Sequence, residues 1–368
     1  MMKKKIAAVA MSGGVDSSVA CALLIEQGYE VIGLTMSLFS FVQKENNFKN
    51  YWGNGAIEDA RCIATFLKIP HHVIDLKKQF EKIVIQNFCD EYSKGCTPNP
   101  CIRCNRHIKF DLLMRKAMKL GAEHLATGHY AKVLWDPQSK HYLLKKATNK
   151  QKDQSYFLYS LSQEQLSRTL LPIGSLSKTE VKKKALKMGL PIAHRPESQE
   201  ICFIPDNNYS SFLHEKIPGA FRPGYILDIN NRIVGKHKGI INFTIGQRKG
   251  IGIAAQHPLY VLEIRSNENS IVVGTNEDLY KNKLIASHIH IISESQITEP
   301  VSVKAKIRYK HKEAKARIFP EESNLFRVEF EKLQRAITPG QAVVFYDGDL
   351  VIGGGTIIGS TEKSKNIN

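Results

Sequence analysis

Residues 96–110, CTPNPCIRCNRHIKF, gather three of the chain's seven cysteines into nine positions and set two prolines among them. Cys101 and Cys104 stand in the CxxC spacing, where two thiols of one turn can share a metal or close a disulfide. Arg103, Arg106, His107 and Lys109 surround them, and that positive charge predicts lowered thiol pKa values and nucleophilic thiolates. Pro98 and Pro100 predict an ordered loop rather than a helix interior. Far along the chain, SQEICFIP supplies Cys202. A structural zinc would need a fourth ligand, for which His107 or His129 is available. A thioredoxin-like pair fits less well, because this CxxC does not follow a first strand at a helix start. Cys96 and the helix-borne Cys21, Cys62 and Cys89 are expected to be buried and inert.

A second cluster, MSGGVDSS at 11–18, joins an apolar run to a helical pattern. A turn there directs successive backbone N–H groups at one point, the helix dipole adds partial positive charge, and glycines admit an anion closely, so phosphate is the expected guest. The loop lacks the lysine of GxxxxGK[ST] and the spacing of GxGxxG.

The totals bound the class of protein. Lysine and arginine number 52 against 35 aspartates and glutamates, a net charge of +17 that favours polyanionic partners, nucleic acid first. An AT-rich genome that inflates lysine is the bland alternative. Apolar residues at 42% and charged ones at 24% are ordinary for a soluble globular chain of two or three domains. No stretch reaches the roughly 20 apolar residues of a membrane span, and MMKKKIAAVAMSGG does not run into a cleavage region. The expectation is a cytoplasmic protein without membrane association, its thiols reduced, metal-bound or catalytic rather than a disulfide scaffold.

The elements that must hold these clusters alternate in the first half. Apolar runs at 6–11, 30–39, 71–76 and 124–130 read as strands, separated by helical patterns within 12–28 through Val19, Leu23 and Leu24 up to a Gly28 cap, over roughly 57–68, through 80–92 with Phe80, Ile83, Val84 and Phe88 on one face, and up to Gly121. SKTE at 177–180 predicts a capped last helix ending at Gly189. Alternation of this kind builds an α/β domain with a parallel sheet, expected over 1–205. Beyond it, short alternating strands between Asn, Asp and Gly turns predict two small β-barrel domains, 206–281 and 282–368, with a frayed polar tail. There is no internal repeat.

SGGVDS resembles the signature of the PP-loop ATP pyrophosphatases, which cleave ATP between the α and β phosphates. The wider chain resembles the tRNA-specific 2-thiouridylases through MSGGVDSS, TPNPC with CN and IKF, ATGHYA, KDQSYFLYSLS, ICFI, TIGQRKGIGI, RYKHK and TPGQAVVFY. The resemblance implies an N-terminal PP-loop domain followed by the two barrels. It also implies ATP-dependent adenylation of the C2 oxygen of the wobble uridine in tRNA, then sulfur transfer, releasing AMP and pyrophosphate.

By that resemblance Ala10, Met11, Ser12, Gly13, Gly14, Val15, Asp16, Ser17, Met36 and Gly128 bind ATP, Asp16 through Mg2+. Met36 would contact adenine, with a core methionine as the alternative. Asn99, Pro100, Cys101, His129, Lys152, Asp153, Gln154, Arg308, Tyr309 and Gln341 are implied to meet tRNA, while Tyr156, Phe157 and Tyr159 pack behind them. Cys202 would carry the sulfur as a persulfide, and Cys104 would attack it or close a disulfide with it. Some relatives have aspartate at the position of Cys101. Cysteine there opens a second scheme, in which Cys101, Cys104 and Cys202 hold a 4Fe-4S cluster. A persulfide or sulfide donor protein is an implied partner, and the chain is expected to act as a monomer. Rival readings are a non-catalytic RNA-binding protein on a degenerate nucleotide fold and another PP-loop enzyme, such as a lysidine synthetase or an amidotransferase-type ligase. Neither calls for the thiols.

Overall fold

The computed structural model describes residues 4–39, 54–193, 201–204 and 208–360. The junction expected between 205 and 206 and nearly all of the tail lie outside them.

The apolar run at the start forms β1 (Ile6–Ala10), buried through Ala7, Ala8 and Val9, and leads into α1 (Val15–Glu26). Then come β2 (Glu30–Ser37), α2 (Asn54–Phe66) and β3 (His71–Asp75). One helical run joins α3 (Lys77–Phe80), a π-helical stretch at Glu81–Ile85, and α4 (Gln86–Ser93). A second joins α5 (Pro100–Cys104), a π-helical stretch at Asn105–Leu113, and α6 (Met114–Lys119). β4 (His124–Ala126) follows, then β5 (Ala131–Asp136), β6 (His141–Lys146), α7 (Gln163–Ser167), β7 (Thr169–Leu170) and α8 (Lys178–Lys187). Strands β3, β2, β1, β4 and β7 lie side by side in that order, each pair parallel, so the expected parallel sheet is present. Ser177 and Glu180 form the expected capping box on α8, and Gly189 closes the turn after it with a φ of +65°.

Three elements depart from the sequence reading. Cys101 and Cys104 are not in a loop: Asn99 caps α5 by accepting from the Ile102 amide, and Pro100 occupies the first helical position, where its missing N–H costs nothing. The strand expected over 124–130 stops at Ala126. Past residue 205 the first described element is a helix, α9 (Tyr209–Lys216), capped by Asn208, so the region is not purely β.

The middle sheet contains β8 (Gly224–Leu227), β9 (Ile233–His237), β10 (Tyr260–Arg265) and β11 (Ser270–Gly274) in the order β10-β11-β8-β9. The last strands are β12 (Tyr280–Ile291), β13 (Val301–Lys306), β14 (Ala314–Glu321), β15 (Leu325–Arg335), β16 (Ala342–Asp347) and β17 (Leu350–Gly359). They run β12-β15-β14-β13-β16-β17, and β12 pairs with β17 to close a barrel. Alternation fills it: Val303 and Ala305 point into the core while Ser302 and Lys304 face out.

The N-terminal segment lends a hairpin to this barrel. β6 pairs with β17 through Lys145 and Leu350, and β5 extends the sheet beyond it. Lys146 donates to the Gly348 carbonyl, its Nζ lies 2.7 Å from Glu313, and its ammonium sits 4.3 Å from the centre of the Tyr346 ring. Tyr156 donates to the Ala342 carbonyl at 2.9 Å from full burial. The barrel is therefore packed on the α/β domain through buried polar bonds as well as apolar contacts.

Candidate active site

The phosphate loop is shaped by close backbone approach. Gly13 has φ +72°, and a Cβ there would lie 2.7 Å from the Ala56 carbonyl oxygen. Gly14 is the N-cap of α1 in extended conformation without a side-chain cap, which leaves the first N–H groups of the helix to an anion. Gly128, just past β4, presses against the same helix start: a Cβ would stand 2.7 Å from the Ser17 nitrogen. Ser17 donates to the Gly14 carbonyl at 3.0 Å and receives the Ser12 amide at 3.3 Å. This glycine-lined cradle, built on a helix N-terminus, fits a polyphosphate. Ala10 and Met36 are partly buried at the ends of their strands, whereas Met11 and Val15 are buried. Met11 packs under the loop against Gly33 and accepts the Thr35 hydroxyl at its carbonyl.

Asp16 does not stand alone. Its Oδ1 accepts from Lys178 Nζ at 2.7 Å and from the Tyr130 hydroxyl at 2.8 Å. Neither partner was singled out in the sequence, because a lysine in the first turn of a distant helix has no local signal. Tyr130 is itself held by Gln154, which accepts the Tyr130 amide at 3.0 Å and donates its own to the Tyr130 carbonyl at 2.7 Å.

The thiols meet. Cys104 is buried in the apolar core that Cys202 packs against, and Cys202 feels both Cys104 and Cys101 electrostatically. Cys202 is anchored by its neighbour Phe203, whose ring lies edge-on to Phe80 at 5.7 Å and Phe88 at 5.3 Å and contacts Phe212 of α9 at 5.3 Å. All seven cysteines are free thiols.

Their electrostatics reverse the sequence expectation. Burial pushes the Cys104 thiol up to about 11, with Lys109 opposing and Cys101 adding to the rise. Burial likewise raises Cys202 strongly, helped by Cys104 and Cys101 and opposed by Lys109. Cys101 is shifted upward in the same direction, yet its residue is exposed, so solvent offsets burial more there than at Cys104. Of the surrounding cations Lys109 is the one that opposes the rise, and it is outweighed by burial, while Arg103 donates to the Ile83 carbonyl at 2.5 Å. Lys109 is the cation common to all three thiols and also to His129, which burial and Lys109 hold well below the usual histidine range. His129 Nδ1 lies 2.7 Å from the Thr127 hydroxyl.

Among the described residues no three His, Cys, Asp or Glu side chains are grouped to hold a metal ion. Cys101, Cys104 and Cys202 as arranged do not fit the 4Fe-4S expectation, and the zinc alternative with His107 or His129 finds no support either. Of the other cysteines, Cys21 and Cys89 are buried as expected, but Cys96 is only half-buried and Cys62 is exposed. Two clefts, about 490 Å³ beside His71–Ile74 and about 410 Å³ between Lys146, Lys306 and Glu313, are lined by no cysteine.

The residues implied to meet tRNA fall into two groups. Asn99, Pro100 and Cys101 open α5, the helix that carries Cys104, and His129 shares with the thiols the influence of Lys109. Lys152 is partly buried, and Asp153 is buried beside it, accepting from the Ala147 amide, the Ser155 amide and the Ser155 hydroxyl. Its carboxylate is spent on that turn rather than turned outward. Arg308 donates to the Arg335 carbonyl at 3.0 Å, and Tyr309 lies 4.4 Å from Phe157 between ring centres. Tyr156 and Tyr159 are buried packing residues, as expected. Gln341 donates to the Thr97 carbonyl at 2.8 Å.

Family models match nearly the whole chain: a tRNA methyl transferase HUP domain over residues 4–206, a tRNA methyl transferase PRC-barrel domain over 210–275 and an aminomethyltransferase beta-barrel domain over 281–357. The tRNA-specific 2-thiouridylase MnmA of Acetivibrio thermocellus is 50% identical over 97% of this chain and 100% of its own length. That of Halothermothrix orenii is 50% identical over 95% of this chain and 98% of its own. The chain belongs to the MnmA family of tRNA-specific 2-thiouridylases. Among solved structures, a 4-thiouridine synthetase–RNA complex with bound ATP aligns loosely, at TM-score 0.39 and 20% identity over 58% of this chain and 50% of that one. Among the described residues no helix is long and apolar enough to cross a membrane.

Proposed function

We propose that the chain replaces the C2 oxygen of the wobble uridine of tRNA with sulfur at the expense of ATP. The observation that carries this reading is the placement of Cys104 and Cys202 on one apolar core, within electrostatic reach of each other, in a domain whose glycine-lined loop suits a polyphosphate. A pure RNA-binding protein needs neither feature, and other PP-loop chemistries need no second thiol.

In the first step the uridine O2 attacks the α-phosphate of ATP and pyrophosphate leaves. The loop residues Ser12, Gly13, Gly14 and Ser17 would hold the phosphates, Gly128 and Met36 would border the nucleotide, and magnesium, if it accompanies ATP, would use the Asp16 carboxylate with Lys178 beside it. Adenylation makes O2 a good leaving group. Cys202 is charged when its thiolate takes the outer sulfur of a donor protein's persulfide and the donor thiolate leaves; the Cys104 thiolate then attacks the inner sulfur, a Cys104–Cys202 disulfide forms and hydrosulfide departs. Hydrosulfide adds to C2 and AMP leaves. An external dithiol reduces the disulfide and completes the cycle. Burial of Cys104 favours its protonated form, so the attacking thiolate has to be generated there. Lys109 is the residue best placed to favour its thiolate. Asn99, Pro100, His129, Lys152, Arg308 and Tyr309 are proposed to border the tRNA, whose backbone the net charge of +17 attracts. One chain supplies every group named, so a monomer suffices.

Cys202→Ser tests the proposal. With ATP, a persulfide-bearing donor and tRNA, the variant should still release pyrophosphate but form no 2-thiouridine in a nucleoside digest. Undiminished 2-thiouridine would remove Cys202 from the mechanism.

A further inference from the structure

The segment between α4 and α5, which leads directly to the two thiols of α5, is gripped from both β regions. On one side Gly95, at φ +75°, packs so tightly on β10 that a Cβ would lie 2.6 Å from Ile264 Cγ2. On the other, the turn between β15 and β16 closes on residues 97–98. The Thr97 amide donates to the Pro339 carbonyl at 2.8 Å. Gln341 Nε2 donates to the Thr97 carbonyl at 2.8 Å and reaches the Pro98 carbonyl at 3.4 Å. Between them Gly340, at φ +89°, lies flat against the loop: a Cβ would stand 2.8 to 2.9 Å from the nitrogen, carbonyl carbon and oxygen of Thr97. The Thr97 hydroxyl is buried without a hydrogen-bond partner, so the hold is on the backbone and not on this side chain.

The turn has a firm base. Gly340 donates to the Ile357 carbonyl and Ile357 to the Gln341 carbonyl, both at 2.8 Å, which pins it to β17. The loop is also built to pass position onward. Pro98 and Pro100 have fixed φ, and Asn99 between them caps α5, so little torsional slack separates Thr97 from Cys101 and Cys104.

We propose that Pro339, Gly340 and Gln341 are positioning residues for the sulfur-transfer site: the barrel turn holds the backbone at Thr97 and Pro98 and so sets where the first turn of α5 stands. The proposal rests on the sulfur-transfer reading for its catalytic consequence, though not for its geometry. It gives Gln341 an intramolecular role that operates before any tRNA arrives.

The test uses the full chain with Gln341→Ala, and with Gly340→Ala as a second variant. In the tRNA-free protein, hydrogen exchange of the peptide spanning 95–104 should quicken by about tenfold, the equivalent of one lost hydrogen bond. Turnover at saturating tRNA should fall by about tenfold or more while the tRNA dissociation constant stays within about twofold. If Gly340→Ala does not fold, Gln341→Ala alone decides. Unchanged exchange over 95–104 would overturn the proposal. So would weakened tRNA binding with full turnover at saturation, which would make Gln341 a tRNA contact only. A wild-type chain that forms no 2-thiouridine would instead sink the function, and the exchange measurement would still judge the hold on the loop.

Discussion

Lys178 reaches from the start of α8 to the phosphate loop and sets its ammonium 2.7 Å from Oδ1 of Asp16, the oxygen that also accepts the Tyr130 hydroxyl. Its side chain is 12% exposed, so this is a sheltered charge facing the cradle. Removing it takes away a charge-assisted partner worth about 1.5–3 kcal/mol. Lys178→Met should therefore lower kcat/KM for ATP by about ten- to a hundredfold in an AMP-release assay, with Lys178→Arg recovering part of it. An ATP dependence identical to wild type would show that Lys178 only braces Asp16.

Gly128 offers a steric test of the same cradle. The methyl group of Gly128→Ala would meet the Ser17 nitrogen at 2.7 Å and the Asp16 carbonyl carbon at 2.8 Å, both rigid helix backbone. Forcing the chain past β4 away from α1 should cost about 1–3 kcal/mol in urea unfolding and abolish AMP release. Normal ATP use by this variant would mean that the two segments need not touch.

The thiol titrations carry a definite sign. Burial holds Cys89 and Cys104 up at about 11 and Cys21 at about 12. These groups keep their protons in the folded chain where an unfolded cysteine, near about 8.5, has lost its own. Their contribution to stability is whole below that value and is lost as pH rises through 11 to 12, so the urea midpoint should decline from pH 9 upward. Iodoacetamide at pH 7.5 should modify exposed Cys62 and Cys101 before Cys104, whose rate should keep rising toward pH 11. Cys104 reacting as fast as Cys62 at pH 7.5 would contradict the burial argument.

Lys109 opposes the upward shift of Cys101, Cys104 and Cys202. Lys109→Ala should move the pH–rate profile of thiolation to higher pH and slow the reaction at pH 7, and Lys109→Arg should restore most of it. An unmoved profile would place the active thiolate elsewhere.

Binding of tRNA should weaken steeply with salt. If six or more phosphates are neutralised, affinity drops roughly a thousandfold or more between 50 and 200 mM salt. A flat response in filter binding would deny the net charge of +17 its assigned part.

Much of the α/β domain was legible because buried strands and capped helices write local patterns: SKTE foretold the capping box at Ser177, and SGGVDS foretold the cradle. The start of α5 was legible too, since Asn-Pro is an N-cap followed by a favoured first residue, but the prolines were read as loop-forming. The β5–β6 hairpin lacks plain alternation, with Val133–Trp135 and Tyr142–Leu144 as short apolar runs on either side of its Asp136 turn, and it was passed over between two α/β elements. Other features leave no local trace. The reach of Lys178 to Asp16 and the hold of Gln341 on Thr97 both join residues distant in the chain. The thiol pKa direction was misjudged because neighbouring charges can be counted in a sequence, whereas desolvation depends on packing.

The hairpin that β5 and β6 contribute to the barrel sheet makes the C-terminal region a poor candidate for transplantation. Detached at residue 281, it would lose the Lys145–Leu350 pairing and the Lys146 amide bond to the Asp349 carbonyl, baring the flank of β17 to other chains. A chimera meant to exchange this barrel between relatives would have to carry residues 131–146 along with it.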